Sequence, residues 1–212
     1  MKLNKYIDHT ILKPFAKGED IERFCNEAKE YDYASVCINP CHVKYAKELL
    51  RGTSVNVCTV IGFPFGANRT ETKAYEVELA YEDGCDEFDM VINIGALKDK
   101  NYDYVRADIA AVVKAAKGKC VKVIIETGLL TDEEIAVATR IACEAGASFV
   151  KTCTGVSEGV ATVKDIKIMK ENITGNVKIK ASTGIKTRET ALELIEAGAE
   201  RLGTSSGKVI VG

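Results

Sequence analysis

Three charged side chains stand inside short apolar runs, and their types suit carbonyl chemistry. Lys151 lies in SFVKTCTG, residues 148–155; Asp89 lies in DEFDMVI, residues 86–92; Lys180 lies in VKIKA, residues 177–181. A lysine in a buried strand costs free energy unless its charge is paired or suppressed. A lysine that has lost its proton is a free amine, and a free amine attacks carbonyl carbon. A second ammonium nearby disfavours protonation of the first, which gives Lys180 a reason to accompany Lys151. Asp89 can carry protons to and from an adduct, with Lys180 assisting. A protonated imine is an electron sink. It eases loss of a proton from the adjacent carbon, or cleavage of the bond one carbon further on. The same residues also fit plainer readings: a strand-end lysine reaching for water, or an ion-pair layer that merely fills an interior.

The loops after these runs favour chemistry. Thr154-Gly155 follows the Lys151 run, Ser182-Thr183-Gly184 follows the Lys180 run, and Gly203-Thr204-Ser205-Ser206-Gly207 follows the last apolar run. Any one of them reads as a tight turn. Small, hydroxyl-rich loops in this position are also where backbone N–H groups bind phosphate. All three together point to a phosphorylated substrate.

The elements that must position these residues alternate along the whole chain. Strands are expected near residues 6–12 (carrying Asp8), 34–39, 55–61, 86–92, 121–126, around Lys151, 177–181 and 201–204. Helices are expected over 18–31, from Pro40 to about 50, and over 70–82, 102–116, 131–144, 161–170 and 188–197. The strands are β-branched and almost continuously apolar, as parallel strands covered by helices are. About eight such units without a composition break predict one domain, residues 1–212, folded as an α/β protein of the (β/α)8 TIM-barrel class. A doubly wound open sheet is the alternative, but no GxGxxG follows the early strands. With a strand period of two, Glu87 and Asp89 share a face opposite Phe88 and Met90, and Lys178 and Lys180 share a face opposite Val177, Ile179 and Ala181. If the apolar faces meet the helices, two lysines and one or more carboxylates converge on the barrel axis. Glu126, closing VKVIIE, is a further polar residue at a strand end.

Composition narrows the rest. The net charge of −2 provides no basic field for nucleic acid or anionic lipid. No apolar run approaches the roughly 18 residues that would span a bilayer, and MKLNKYIDHT lacks a secretion signal's apolar core. A cytoplasmic protein with no membrane partner is therefore expected. Most of the eight cysteines, Cys37, Cys58, Cys85, Cys120 and Cys143 among them, fall in apolar patterns and read as buried thiols of a reducing compartment. Cys37, Cys41 and His42 match no common zinc spacing, so no metal site is expected. Tyr75, Leu79 and Tyr81 could be core or a homo-oligomer interface.

The stretches YIDHTILKP, ASVCINP, TVIGFPFG, DEFDMVINIG, VKVIIETGLL, FVKTCTG, KIKASTGIKT and RLGTSSG, in this order, span essentially the whole chain. Together they resemble the deoxyribose-phosphate aldolases, a family of class I, Schiff-base enzymes. The resemblance implies reversible cleavage of 2-deoxy-D-ribose 5-phosphate to D-glyceraldehyde 3-phosphate and acetaldehyde, with no metal or other cofactor and with these small molecules as the only partners. By position it makes Lys151 the imine-forming lysine, Asp89 the proton-transfer aspartate and Lys180 the second lysine. It puts Asp8 in the same proton network near the substrate, and Gly155, Gly184, Ser205 and Ser206 in the phosphate loops, with Lys186 keeping the basic type after the glycine pair. Three departures stand out. Cys153 replaces the usual serine, and Thr183 replaces the usual glycine and restricts the backbone beside the phosphate site. Many members also continue past the position of Gly212 into a tail ending in tyrosine, and slower turnover with an intact imine step is the expectation without it. A different aldolase or isomerase on the same scaffold, or a non-catalytic phosphosugar binder, are the rival readings.

Overall fold

A computed structural model describes residues 2–212. The strands are β1 (Ile7–Ile11), β2 (Ser35–Ile38), β3 (Asn56–Ile61), β4 (Glu87–Val91), β5 (Cys120–Ile124), β6 (Phe149–Lys151), β7 (Lys178–Ser182) and β8 (Arg201–Thr204). The helices are α1 (Gly18–Tyr31), α2 (Val43–Leu49), α3 (Thr70–Glu82), α4 (Ile94–Lys98), α5 (Tyr102–Ala115), α6 (Asp132–Glu144), α7 (Val163–Asn172), α8 (Arg188–Ala197) and α9 (Gly207–Val211). All strand pairs are parallel, and β8 returns to β1 with Asp8 opposite Gly203, so the sheet closes into the expected (β/α)8 barrel. No helix among the described residues is long and apolar enough to cross a membrane.

The two faces of each strand divide as the alternation requires. Phe88 and Met90 of β4, and Ile179 and Ala181 of β7, pack outward into the core shared with the helices. Each fully buried apolar side chain of this size contributes roughly 1.5–3 kcal/mol. That outer layer offsets the cost of the polar interior, where burying each charge costs several kcal/mol before pairing. Helix starts follow local chemistry. The Thr131 hydroxyl accepts from the Glu134 N–H and the Glu134 carboxylate accepts from the Thr131 N–H, a reciprocal cap that opens α6. The Thr162 hydroxyl accepts from the Asp165 N–H, so α7 begins at Val163, two residues later than the apolar pattern suggests.

Two short helices were not expected. Asn93 caps α4 by accepting from the Ala96 N–H, although Gly95 lowers the helix propensity of this stretch. α9 follows directly on the Ser205-Ser206 loop. The helix expected from Pro40 is a 3-10 turn, Pro40–His42, running into α2.

Candidate active site

The barrel interior holds a closed network of charges. Asp89 on β4 receives Lys151 Nζ from β6 at 2.9 Å and Lys180 Nζ from β7 at 2.7 Å, both on Oδ2. Its Oδ1 receives Lys122 Nζ from β5 at 2.8 Å and the Cys58 thiol from β3 at 3.2 Å. Lys180 also reaches Asp8 Oδ2 on β1 at 2.5 Å. The other oxygen of Asp8 accepts from the Ser35 hydroxyl and from Arg201, both at 2.7 Å. Glu87 lies below, 2.5 Å from Lys122 and 3.1 Å from Arg201. The expected convergence of two lysines with carboxylates on the axis is therefore present.

Physical causes fix the charge states. Burial alone would raise the pKa of Asp89, but Lys122, Lys151 and Lys180 outweigh it and hold the carboxyl well below the usual range. Asp8 is lowered likewise: burial opposes, and Lys180, Lys122 and Arg201 prevail. Burial would push Lys180 down, yet Asp8 and Asp89 hold it above the ordinary lysine value, so it stays an ammonium. The buried carboxylates of Asp8, Glu87 and Asp89 are matched in number by Lys122, Lys180 and Arg201. Lys151 is the surplus cation, with Asp89 as its one hydrogen-bond partner among the described residues.

Lys151 is also the member that reaches open space. A cleft of about 470 Å³ opens at the C-terminal ends of β6, β7, β8 and β1. Lys151 lines it together with Thr154, Gly155, Thr183, Gly184, Ser205 and Ser206. Lys13 and Lys186 stand at the same cleft, and no carboxylate lines it among the described residues. In a chain with 31 acidic residues, that is a local cationic funnel for an anion. The loops are braced against one another. The Thr204 hydroxyl donates to the Ile185 carbonyl at 2.7 Å and accepts from the Ser206 N–H at 2.9 Å. A Cβ added at Gly155, where φ is +83°, would come within 3.0 Å of Thr183 Oγ1.

Several placements differ from expectation. Asp8 does not line the cleft; it lies beneath it, fully buried, and holds Lys180 rather than facing a ligand. Glu126 does not join the axial cluster. It sits past the end of β5 with its backbone left-handed, and its carboxylate accepts from the Thr154 N–H. Lys178 is exposed at the start of β7, 3.6 Å from Glu200. Glu87, expected on the face of Asp89, joins the cluster, and Lys122 and Arg201 are additions to it. Lys122 carried the same signal as Lys180, a lysine on the polar face of an apolar strand. Cys37, Cys58 and Asp89 bring two thiols and a carboxylate within 4.8 Å, but three ammonium groups already occupy Asp89 and oppose a cation there. Cys41 is exposed and stands apart from that group.

A buried amine at the mouth of a (β/α)8 barrel, backed by a carboxylate and a fixed ammonium, defines a lysine-dependent carbonyl-active enzyme. Comparison with known proteins narrows the class. Residues 2–211 match the sequence profile described as DeoC/LacD family aldolase. The deoxyribose-phosphate aldolase of Enterococcus faecalis is 58% identical over 212 residues, covering 100% of this chain and 96% of that protein. That of Finegoldia magna is 56% identical, covering 100% and 99%. The structure described as the unique tetrameric structure of deoxyribose phosphate aldolase from Aeropyrum pernix superposes with a TM-score of 0.91 at 31% identity, covering 99% of this chain and 89% of that one. The chain belongs to the DeoC/LacD aldolase family.

Proposed function

We propose that this protein is a class I aldolase that reversibly cleaves 2-deoxy-D-ribose 5-phosphate to D-glyceraldehyde 3-phosphate and acetaldehyde, with Lys151 forming the imine. The observation that carries this reading is the single Asp89 oxygen shared by Lys151 and Lys180 beneath a cationic cleft. The amine of Lys151 attacks C1 of the open-chain sugar, and loss of water gives the protonated imine. Asp89 takes the proton of the C3 hydroxyl as the C2–C3 bond breaks, and the bonding pair flows to the imine nitrogen. Glyceraldehyde 3-phosphate leaves, and an enamine of acetaldehyde remains on Lys151. Protonation at C2 and hydrolysis then free acetaldehyde and the amine. Lys180 stays cationic throughout and stabilises the charge on Asp89. Phosphate contacts from the loops carrying Thr154, Gly155, Thr183, Gly184, Ser205 and Ser206 supply orientation away from the breaking bond. Asp8 acts through Lys180.

The same reading makes the enzyme a single domain, residues 1–212, working in the cytoplasm in deoxyribonucleotide breakdown, without metal or other cofactor. Its partners are the phosphosugar and acetaldehyde, not nucleic acid or membrane. A homo-oligomer is supported by the tetrameric description of the Aeropyrum pernix relative and by the exposed Tyr75 and Leu79 on α3.

Borohydride trapping tests the assignment. Reduction in the presence of acetaldehyde, followed by digestion and mass spectrometry, is expected to place a two-carbon adduct on Lys151, absent in Lys151→Ala. An adduct on another lysine overturns the residue roles. No adduct on the folded protein removes the imine mechanism and leaves a phosphosugar binder.

A further inference from the structure

Ser182 is the last residue of β7 and the next interior-facing position after Lys180, one step nearer the mouth. It is 95% buried by its relative exposure of 5%, and it lines the cleft beside Lys151. Its backbone is clamped by one side chain: the Ser182 N–H donates to Thr152 Oγ1 at 3.0 Å, and the Thr152 hydroxyl donates to the Ser182 carbonyl at 3.1 Å. Its own hydroxyl has no partner among the described residues. The space it occupies is kept open by Gly203, its register partner on β8, where an added Cβ would stand 2.2 Å from Ser182 Oγ. A buried hydroxyl held rigid and left unpaired is costly unless something else satisfies it. The Oγ itself is sealed from solvent, and the nearest open space is the cleft that Ser182 lines.

We infer that Ser182 recognises the C4 hydroxyl of the sugar, and so selects acceptor aldehydes that carry a hydroxyl next to the carbonyl. This rests on the lysine-imine aldolase reading. C1 is fixed by the bond to Lys151, and the phosphate on C5 is held by the loops that follow β6, β7 and β8. The carbon chain between them passes Ser182, which stands on β7 between Lys180 and the Thr183-Gly184 turn. The C3 hydroxyl gives its proton to Asp89, below Ser182. The C4 hydroxyl, kept in the product as the C2 hydroxyl of glyceraldehyde 3-phosphate, is the polar group left at the height of Ser182. Loss of one neutral hydrogen bond to it corresponds to about a tenfold drop in rate.

The test compares two acceptors in the synthetic direction, with acetaldehyde as donor. One is glyceraldehyde 3-phosphate; the other is 3-oxopropyl phosphate, which lacks only the hydroxyl in question. In wild type the first is expected to have the higher kcat/KM by about tenfold. In Ser182→Ala that preference is expected to collapse to within twofold, through loss with glyceraldehyde 3-phosphate. A preference unchanged in Ser182→Ala, or equal losses with both acceptors, overturns the inference. Borohydride trapping of acetaldehyde on Lys151, run on the same samples, separates the two readings. Trapping with no change in preference sinks only the role of Ser182, whereas no trapping in wild type sinks the aldolase reading itself.

Discussion

Lys151 and Lys180 stand in register on neighbouring strands and donate to the same oxygen of Asp89, at 2.9 Å and 2.7 Å. One lysine opens onto the cleft and the other is sealed below it, bonded also to Asp8. A shared carboxylate thus gives two chemically identical side chains different tasks. One faces the cleft, while the other is held as an ammonium between Asp8 and Asp89.

Asp89→Asn therefore removes both the proton carrier and the counter-charge of three lysines. Turnover of deoxyribose 5-phosphate is expected to fall by about 10²–10⁴-fold. Leaving buried lysines without this partner is expected to cost about 3–5 kcal/mol of stability. Steady-state kinetics checked against a melting curve separates the two effects. A folded variant that keeps more than a tenth of wild-type kcat would remove Asp89 from the proton path.

Thr183 has φ of +81°, a region that β-branched residues seldom enter. Holding a non-glycine residue there costs of order 1–3 kcal/mol, against roughly 0.5–1 kcal/mol of chain entropy for glycine. Thr183→Gly is expected to raise stability by about 1 kcal/mol, or about 2–4 °C in Tm for a chain of this size. Its KM for the phosphorylated substrate is expected to fall while kcat holds, because the freed turn can settle around phosphate. An unchanged KM would separate the strain from phosphate binding, and a lower Tm would show that the site tolerates threonine without strain.

What could be read from the sequence follows from what periodicity carries. Lys151, Asp89 and Lys180 announce themselves because a charge inside a β-branched run is anomalous, and the period of two says which way it points. Lys122 sends the same signal as Lys180, a lysine on the polar face of an apolar strand. Arg201 sits at a strand start, where a charge normally means solvent, and only barrel closure brings it to Glu87 across 114 residues of sequence. Asp8, near the start of β1, is placed near the substrate by the family resemblance alone. Its depth depends on how β1 meets β8, which no local pattern encodes. The unpaired Ser182 hydroxyl is invisible until Gly203 lies beside it.

Lys73 shows the same limit in the helix layer. It lies on the polar-looking surface of α3 yet is fully buried, 2.6 Å from the equally buried Asp108 of α5 and 3.0 Å from the Val91 carbonyl. Lys73→Met removes the cationic partner of Asp108, leaving it only the Thr70 hydroxyl at 2.8 Å, and is expected to cost about 3–5 kcal/mol. Replacing both, Lys73→Met with Asp108→Leu, is expected to return stability to within about 1–2 kcal/mol of wild type. Denaturant titration of the two singles and the double decides it. A double variant as unstable as Lys73→Met would mean that the cost lies in packing rather than in the stranded charge.

His9, next to Asp8 on β1, gives the structure a pH dependence that the catalytic charges do not. Its ring is buried and stacks on Phe24 at 4.3 Å, and Nε2 lies 2.8 Å from Glu27 Oε2. Burial lowers its pKa from 6.5; Glu27 opposes, while Lys208 and Arg23 add to the lowering. The folded ring therefore stays neutral, donating from Nε2, where the unfolded ring takes up a proton. As pH falls below about 6.5 the unfolded state binds more protons than the folded one, so stability drops with a slope of up to about 1.4 kcal/mol per pH unit. The slope ends once pH passes the lower folded value. Asp8 and Asp89, with pKa values depressed below 3.8, contribute stability that is lost only at more acid pH, so they leave this window flat. Denaturant titrations of wild type and His9→Phe between pH 7.5 and 5 are expected to diverge from pH 6.5 downward, the wild type losing stability faster. Parallel curves would show that His9 is protonated alike in both states and that the acid sensitivity has another source.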